Sequence, residues 1–232
     1  MDSKIELRVE TVLVPAGVFR IGDSAGRPDE QPEHDVYVSA FRIAVLPVTN
    51  REYGAFVEAT GHEPGRFRDE PAFSLPEQPV VGVNWFDAVD YCAWLSDATG
   101  RRFRLPTEAE REKAARGGIG GLRYPWGDDP GTNGGRFEQV APNAAGISEP
   151  NGFGLYDMGY NVHEWCSDWY DAAYYASSPA RDPGGPASGT RRASRGGAWR
   201  HQIKISRCAA RSSLNPSFRY NDYGFRVAES VA

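Results

Sequence analysis

Residues 151–170 read NGFGLYDMGYNVHEWCSDWY, and the rest of the chain is best read outward from this stretch. Two acids in it, Asp157 and Glu164, bracket a short polar turn whose backbone carbonyls can converge with both carboxylates. Calcium takes about six to eight hard oxygen ligands, several of them carbonyls of a tight loop. The same two acids also suit capping or salt bridging, so the turn by itself leaves both readings open. Trp165 reads as a buried indole, because a ring of that size gains most from being taken out of water.

Around this stretch regular signals are sparse. After Gly118 about seventy residues of Gly, Pro, Asn and aromatics carry only short strand-like pieces, and loops that long inside a compact domain are usually functional or held by an ion. Upstream the signals are local and strong. Residues 9–22 read as two short strands around the Pro15–Gly17 breaker, and EHDVYVSAFRI alternates as a strand to Ile43. Thr49 with Glu52 has capping-box spacing and predicts a helix through about Ala59. Asn84 opens a second helix, with Ala88, Tyr91, Cys92 and Leu95 on one face and Gly100 as its stop. Thr107 with Glu110 opens a third, running through EAEREKAARGG. RRASRGGAW and YGFRVA read as two closing strands.

Composition narrows the class. The chain has 232 residues with 26 Gly and 17 Pro, beside 11 Phe, 11 Tyr and 6 Trp, which favours a loop-rich domain with an aromatic core over a helical bundle. We read residues 1–232 as one domain. The formal charge of −5 is spread along the chain without a run of like charges, which argues against nucleic-acid and membrane partners. The exception is Arg191, Arg192, Arg195, Arg200, Lys204, Arg207 and Arg211, a basic segment that is either an anion-facing site or a solvated surface. Met1 to Glu10 alternate charged and apolar residues, without the apolar core of a signal peptide, so a cytoplasmic location is expected. Cys92, Cys166 and Cys208 are too scattered for a disulfide framework and are expected reduced.

Eight fragments, VPAGVFRIG, LPVTNREYGAFV, RLPTEAEREKAARGG, YPWGDD, NGFGLYDMGYNVHEWCSDWY, SRGGAW, RCAAR and YGFRVA, stand in an order and spacing that resembles the formylglycine-generating-enzyme-like (sulfatase-modifying-factor) family over nearly the whole chain. The resemblance implies an irregular, loop-rich α+β fold, a variant of the C-type lectin fold stabilised by calcium. It places calcium on the side chains of Asp157 and Glu164 and the carbonyls of Tyr160 and Val162, with Asn133 matching a second calcium site. It pairs Cys208 with the position of Ala115 and Cys92 with that of Val227, so both of the family's bridges are halved here.

One element of the resemblance is missing. The enzymes bind copper through two cysteines just after the Gly-Gly strand, soft thiolates being what Cu(I) requires. Here His201 stands at the first position, no second cysteine follows, and Ala198 and Gln202 replace the accompanying serine and histidine. The expected function is therefore a calcium-stabilised module binding a peptide, a protein or a small anionic ligand, on a surface of Trp199, Arg200, His201, Arg207, Arg211, Phe218, Tyr220 and Tyr223. The alternatives are an oxygen-dependent oxidoreductase, with His201 as candidate catalytic group holding iron or copper beside Tyr220, Asp222 or an additional histidine, and a divergent formylglycine-generating oxidase. His34 and His163 read as core or rim residues, and His62 has no ligand-like spacing to the others.

Overall fold

Three helices start at side chains that close their own first turns. Thr49 and Glu52 cap α1 (Asn50–Thr60) reciprocally, Asn84 and Asp87 cap α2 (Trp85–Thr99), and Thr107 and Glu110 cap α3 (Glu108–Ala115). Each box satisfies backbone N–H groups that a helix end leaves without partners. Gly61 and Gly100 end α1 and α2 in the left-handed region. The third helix stops short of the predicted Gly118, at Ala115, because Gly117 and Gly118 take positive φ. The computed structural model describes residues 9–133 and 139–231.

Among the described residues ten strands make three sheets: β1 (Thr11–Val14), β2 (Gly17–Ile21), β3 (His34–Val38), β4 (Phe41–Ala44), β5 (Phe103–Arg104), β6 (His163–Trp169), β7 (Arg192–Arg195), β8 (Arg211–Leu214), β9 (Tyr223–Gly224) and β10 (Ala228–Ser230). The orders are β1-β4-β10-β5, β2-β3 and β8-β7-β6-β9, with β9 parallel to β6. The predicted strand to Ile43 is split between two sheets. Its break is held by Asp182, whose carboxylate accepts the Ser39 N–H at 2.6 Å and the Ser39 hydroxyl at 2.8 Å. YGFRVA is divided too, into β9 and β10 on different sheets. The longest strand, β6, carries no strand signal in the sequence: most of its side chains on both faces are buried, so polar and apolar residues do not alternate.

The aromatic core lies between α1, α2 and β6, where Tyr53, Phe56, Tyr91, Trp165 and Phe225 pack together. A second core joins α3 to β2, β3 and β4 and to Leu155, Met158 and Cys208. Cys92 shares its core with Val227, and Cys208 shares its core with Ala115. Trp126 is only half-buried, stacked on Tyr124. Among the described residues no helix is long and apolar enough to cross a membrane.

Candidate functional site

The basic segment is largely consumed inside the molecule. Glu108, at the buried start of α3, accepts from Arg195 Nε at 2.9 Å and from Arg211 Nε and Nη2 at 2.8 and 2.9 Å. Burial pushes its carboxyl up, but Arg211 and Arg195 outweigh that and hold it below the ordinary range. Arg207 grips Glu30 at 2.6 Å and Asp23 at 3.1 Å, while Arg192 lies between the Trp85 and Trp169 rings. The expected eight-residue ligand surface is corrected accordingly. Arg207 and Arg211 face carboxylates of the interior, Trp199 packs on Phe73 beneath the surface, and Tyr223 is buried with its hydroxyl near Ser194 and Ser212.

Four of the eight reach solvent: Arg200, His201, Phe218 and Tyr220. Phe218 and Tyr220 are each 47% exposed and meet edge to face at 5.9 Å. With Glu63, Pro64, Arg66, Ser217 and Arg219 they line a groove of about 760 Å³. Its floor is firm, because Arg219 bonds Asp87 through two nitrogens and Glu63 through a third. Arg66 is exposed along the groove, and Arg200 donates to Asn221 Oδ1 at 3.0 Å.

Behind Arg200 lies a cluster that the sequence does not announce. His163 Nε2 is 2.9 Å from His201 Nδ1, and His201 Nε2 is 3.4 Å from Asp222 Oδ2. Each of the three offers a ligand atom, all within 4.8 Å of one another. His163 is buried, and burial together with His201 and Arg200 pulls its pKa down to about 3, so the ring is neutral. Its Nδ1 makes no hydrogen bond. The expectation that His163 is a core or rim residue agrees with its burial, and its contact with His201 was not foreseen. The signal was the histidine at each of two positions, 38 residues apart, with nothing in the spacing to join them.

The turn from Asp157 to Glu164 is divided between two kinds of contact. Glu164 is fully buried, and Arg111 Nε at 2.7 Å and Arg226 at 3.0 to 3.3 Å engage both carboxylate oxygens. Arg111 also donates to the Met158 carbonyl at 2.9 Å. Two guanidinium cations thus balance the buried charge of Glu164 within the chain. Asp157 differs: its Oδ2 accepts from Gly146 N–H, its Oδ1 is buried without a partner, and burial raises its carboxyl above the ordinary range. The Tyr160 carbonyl accepts the Val162 N–H at 3.2 Å. The side chain of Asn133 lies outside the described residues, as does the segment 134–138 that follows it.

The three cysteines are free and buried, and burial pushes all three thiols up, Cys208 to about 12. Cys208 follows His201 in the chain but is buried in the core with Ala115.

Residues 3–231 match the model of the "Sulfatase-modifying factor enzyme 1-like domain". A protein of Chlamydia pneumoniae named "Serine/threonine-protein kinase pkn1" is 37% identical over 96% of this chain, and the chain spans 38% of that protein's length. The formylglycine-generating enzyme of Streptomyces coelicolor is 36% identical over 95% of this chain and 89% of its own. The structure of PvdO from Pseudomonas aeruginosa superposes with a TM-score of 0.83 at 32% identity, covering 96% of this chain and 95% of that one.

Proposed function

This chain belongs to the formylglycine-generating-enzyme-like, or sulfatase-modifying-factor, family and has its loop-rich variant of the C-type lectin fold, and from that premise we propose that it is a binding module and not a copper oxidase. The observation that carries this reading is a contrast: three thiols buried and held protonated, against an open groove lined by Phe218 and Tyr220. Thiolates, not thiols, bind Cu(I). Exposed aromatic and arginine side chains combine large contact area with a polar tip, the make-up of binding hot spots. Arg66 and Arg200 suit an anionic ligand, for instance the carboxylate of a peptide. Calcium enters as a structural ion held by Asp157 and the carbonyls of its turn, its support being the buried, unpartnered Oδ1. Reduced thiols and the dispersed charge fit a cytoplasmic setting with neither nucleic acid nor membrane as partner.

Two measurements test the reading. Incubated with copper, oxygen, a reductant and a Cys-x-Pro-x-Arg peptide, the protein is expected to leave the peptide cysteine unmodified; aldehyde above a no-enzyme control in mass spectrometry would refute it. Arg200→Ala combined with Tyr220→Ala is expected to abolish capture of a co-purifying partner while the fold survives. Full capture by that variant would move the site elsewhere.

A further inference from the structure

We propose that His163, His201 and Asp222 bind one divalent first-row transition ion of the zinc or iron(II) class, a property beyond the binding role of the groove. The three residues come from separate parts of the chain and are brought together by backbone contacts. His163 opens β6 and its N–H donates to the Asp222 carbonyl at 2.8 Å, fixing the strand to the residue before β9. Trp199 N–H donates to Asn161 at 2.9 Å and His201 N–H to Ala198 at 2.9 Å, so the loop after β7 is held over the same spot. The scaffold for a three-ligand site is therefore formed before any ion arrives, which lowers the cost of binding.

The separation of the two histidines suits an ion, and the Asp222 carboxylate, whose Oδ2 lies 3.4 Å from the opposite ring nitrogen of His201, has to swing inward to join them. Two imidazole nitrogens about 2.0–2.1 Å from a metal stand about 2.8–3.4 Å apart at right or tetrahedral angles. His163 Nε2 and His201 Nδ1 are 2.9 Å apart, at the right-angle end of that range. The carboxylate of Asp222 completes a two-histidine, one-carboxylate set, the donor mixture that favours zinc and iron(II) over calcium, which prefers all-oxygen shells, and over Cu(I), which prefers sulfur. Arg200 Nε lies 3.6 Å from Asp222 Oδ2 but its side chain is half exposed, so this cation can leave when a metal arrives. His201 is 30% exposed in its side chain, and the remaining coordination positions open there to water or to the end of a ligand.

The test uses tag-free protein kept in calcium, so that the hard-ion reading and this one are separated. Zn²⁺ is titrated calorimetrically and Co²⁺ by its visible absorption. One ion per chain is expected, with Kd tighter than about 10 µM. His201→Ala should weaken it about a hundredfold and Asp222→Asn about tenfold, with wild-type far-ultraviolet circular dichroism in both. The proposal is overturned if the native protein takes up neither ion stoichiometrically, or if either variant keeps the native affinity.

Discussion

Two buried polar regions of this protein are built to opposite rules. Around α3, Glu108, Glu110, Arg111, Glu112 and Lys113 are all buried, and each finds a partner in a guanidinium, a carboxylate or a set of carbonyls. Around the turn from Asp157 to His163, and in the segment it packs against, buried atoms are left without partners: Asp157 Oδ1, His163 Nδ1 and Ser206 Oγ. A buried polar atom without a partner costs about 1–3 kcal/mol, so such atoms persist where something outside the chain completes them. Saturated charge marks scaffold here, and Asp157 Oδ1 is the unpartnered atom on which the calcium proposal rests.

The largest expected effect breaks the saturated side. Glu108→Ala leaves Arg211 buried without its carboxylate and Arg195 with Glu112 alone, at a cost of about 3–5 kcal/mol, or roughly 10 °C in melting temperature for a domain of this size. A loss under about 1 kcal/mol in urea denaturation would show that this charge cluster is not the scaffold.

Asp168 sharpens the comparison from within the same region. It accepts from the Glu108 N–H and the Ser167 hydroxyl, and burial, then Glu108, pushes its carboxyl up to about 7. The folded state therefore holds the proton more tightly than the unfolded chain does. The resulting stability is fully present below pH about 4 and is lost as pH rises through about 7, by on the order of 2–4 kcal/mol. Glu108 and Glu164 act with the opposite sign, since their carboxyls are held low and their contribution fades as pH falls below about 4.5. Unfolding of the native protein and of Asp168→Asn at pH 4 and pH 7.5 isolates the term: the native protein should lose stability relative to the variant at the higher pH. Parallel pH dependence in the two would contradict it.

On the unsaturated side, chelation of calcium should lower stability by about 2.7 kcal/mol, taken for an ion at a hundredfold excess over Kd. The melting temperature falls by about 5–10 °C, and Asp157→Ala removes the sensitivity. A melting curve indifferent to chelator in the native protein ends the calcium proposal. The smallest effect is expected at the groove. Arg200→Ala and Tyr220→Ala remove half-exposed side chains and should stay within about 0.5 kcal/mol of the native stability, so that any loss of ligand capture is a loss of contact. A drop of several degrees in melting temperature would place them in the scaffold.

The helices were legible because their start and stop signals are local: Thr49 with Glu52 and Thr107 with Glu110 act within one turn, and Asn84 and Gly100 each act at their own end of α2. The strands were legible where alternation or a flanking motif marked them, as in RRASRGGAW, which holds the mostly buried β7. β2 and β3 alternate and were found, whereas β6 is covered on both faces and was not. Of the candidate site, Arg200, His201, Phe218 and Tyr220 were placed correctly at the surface. Arg207 and Arg211 were not, because a charged residue looks the same in sequence whether it meets water or a buried carboxylate.

By itself the amino-acid sequence determined the family, the three capped helices and the lack of a cysteine pair beside His201, since motif order, capping and residue identity are written along the chain. Tertiary structure alone decided that Glu108 gathers Arg195 and Arg211 from 87 and 103 residues away, that Arg111 and Arg226 hold Glu164, and that His163 meets His201 and Asp222. The physical reason is that burial and partnership of a polar group depend on which distant segments pack against it. Those contacts are fixed by closing the sheets and cores as a whole, and the pattern of neighbouring residues does not encode them.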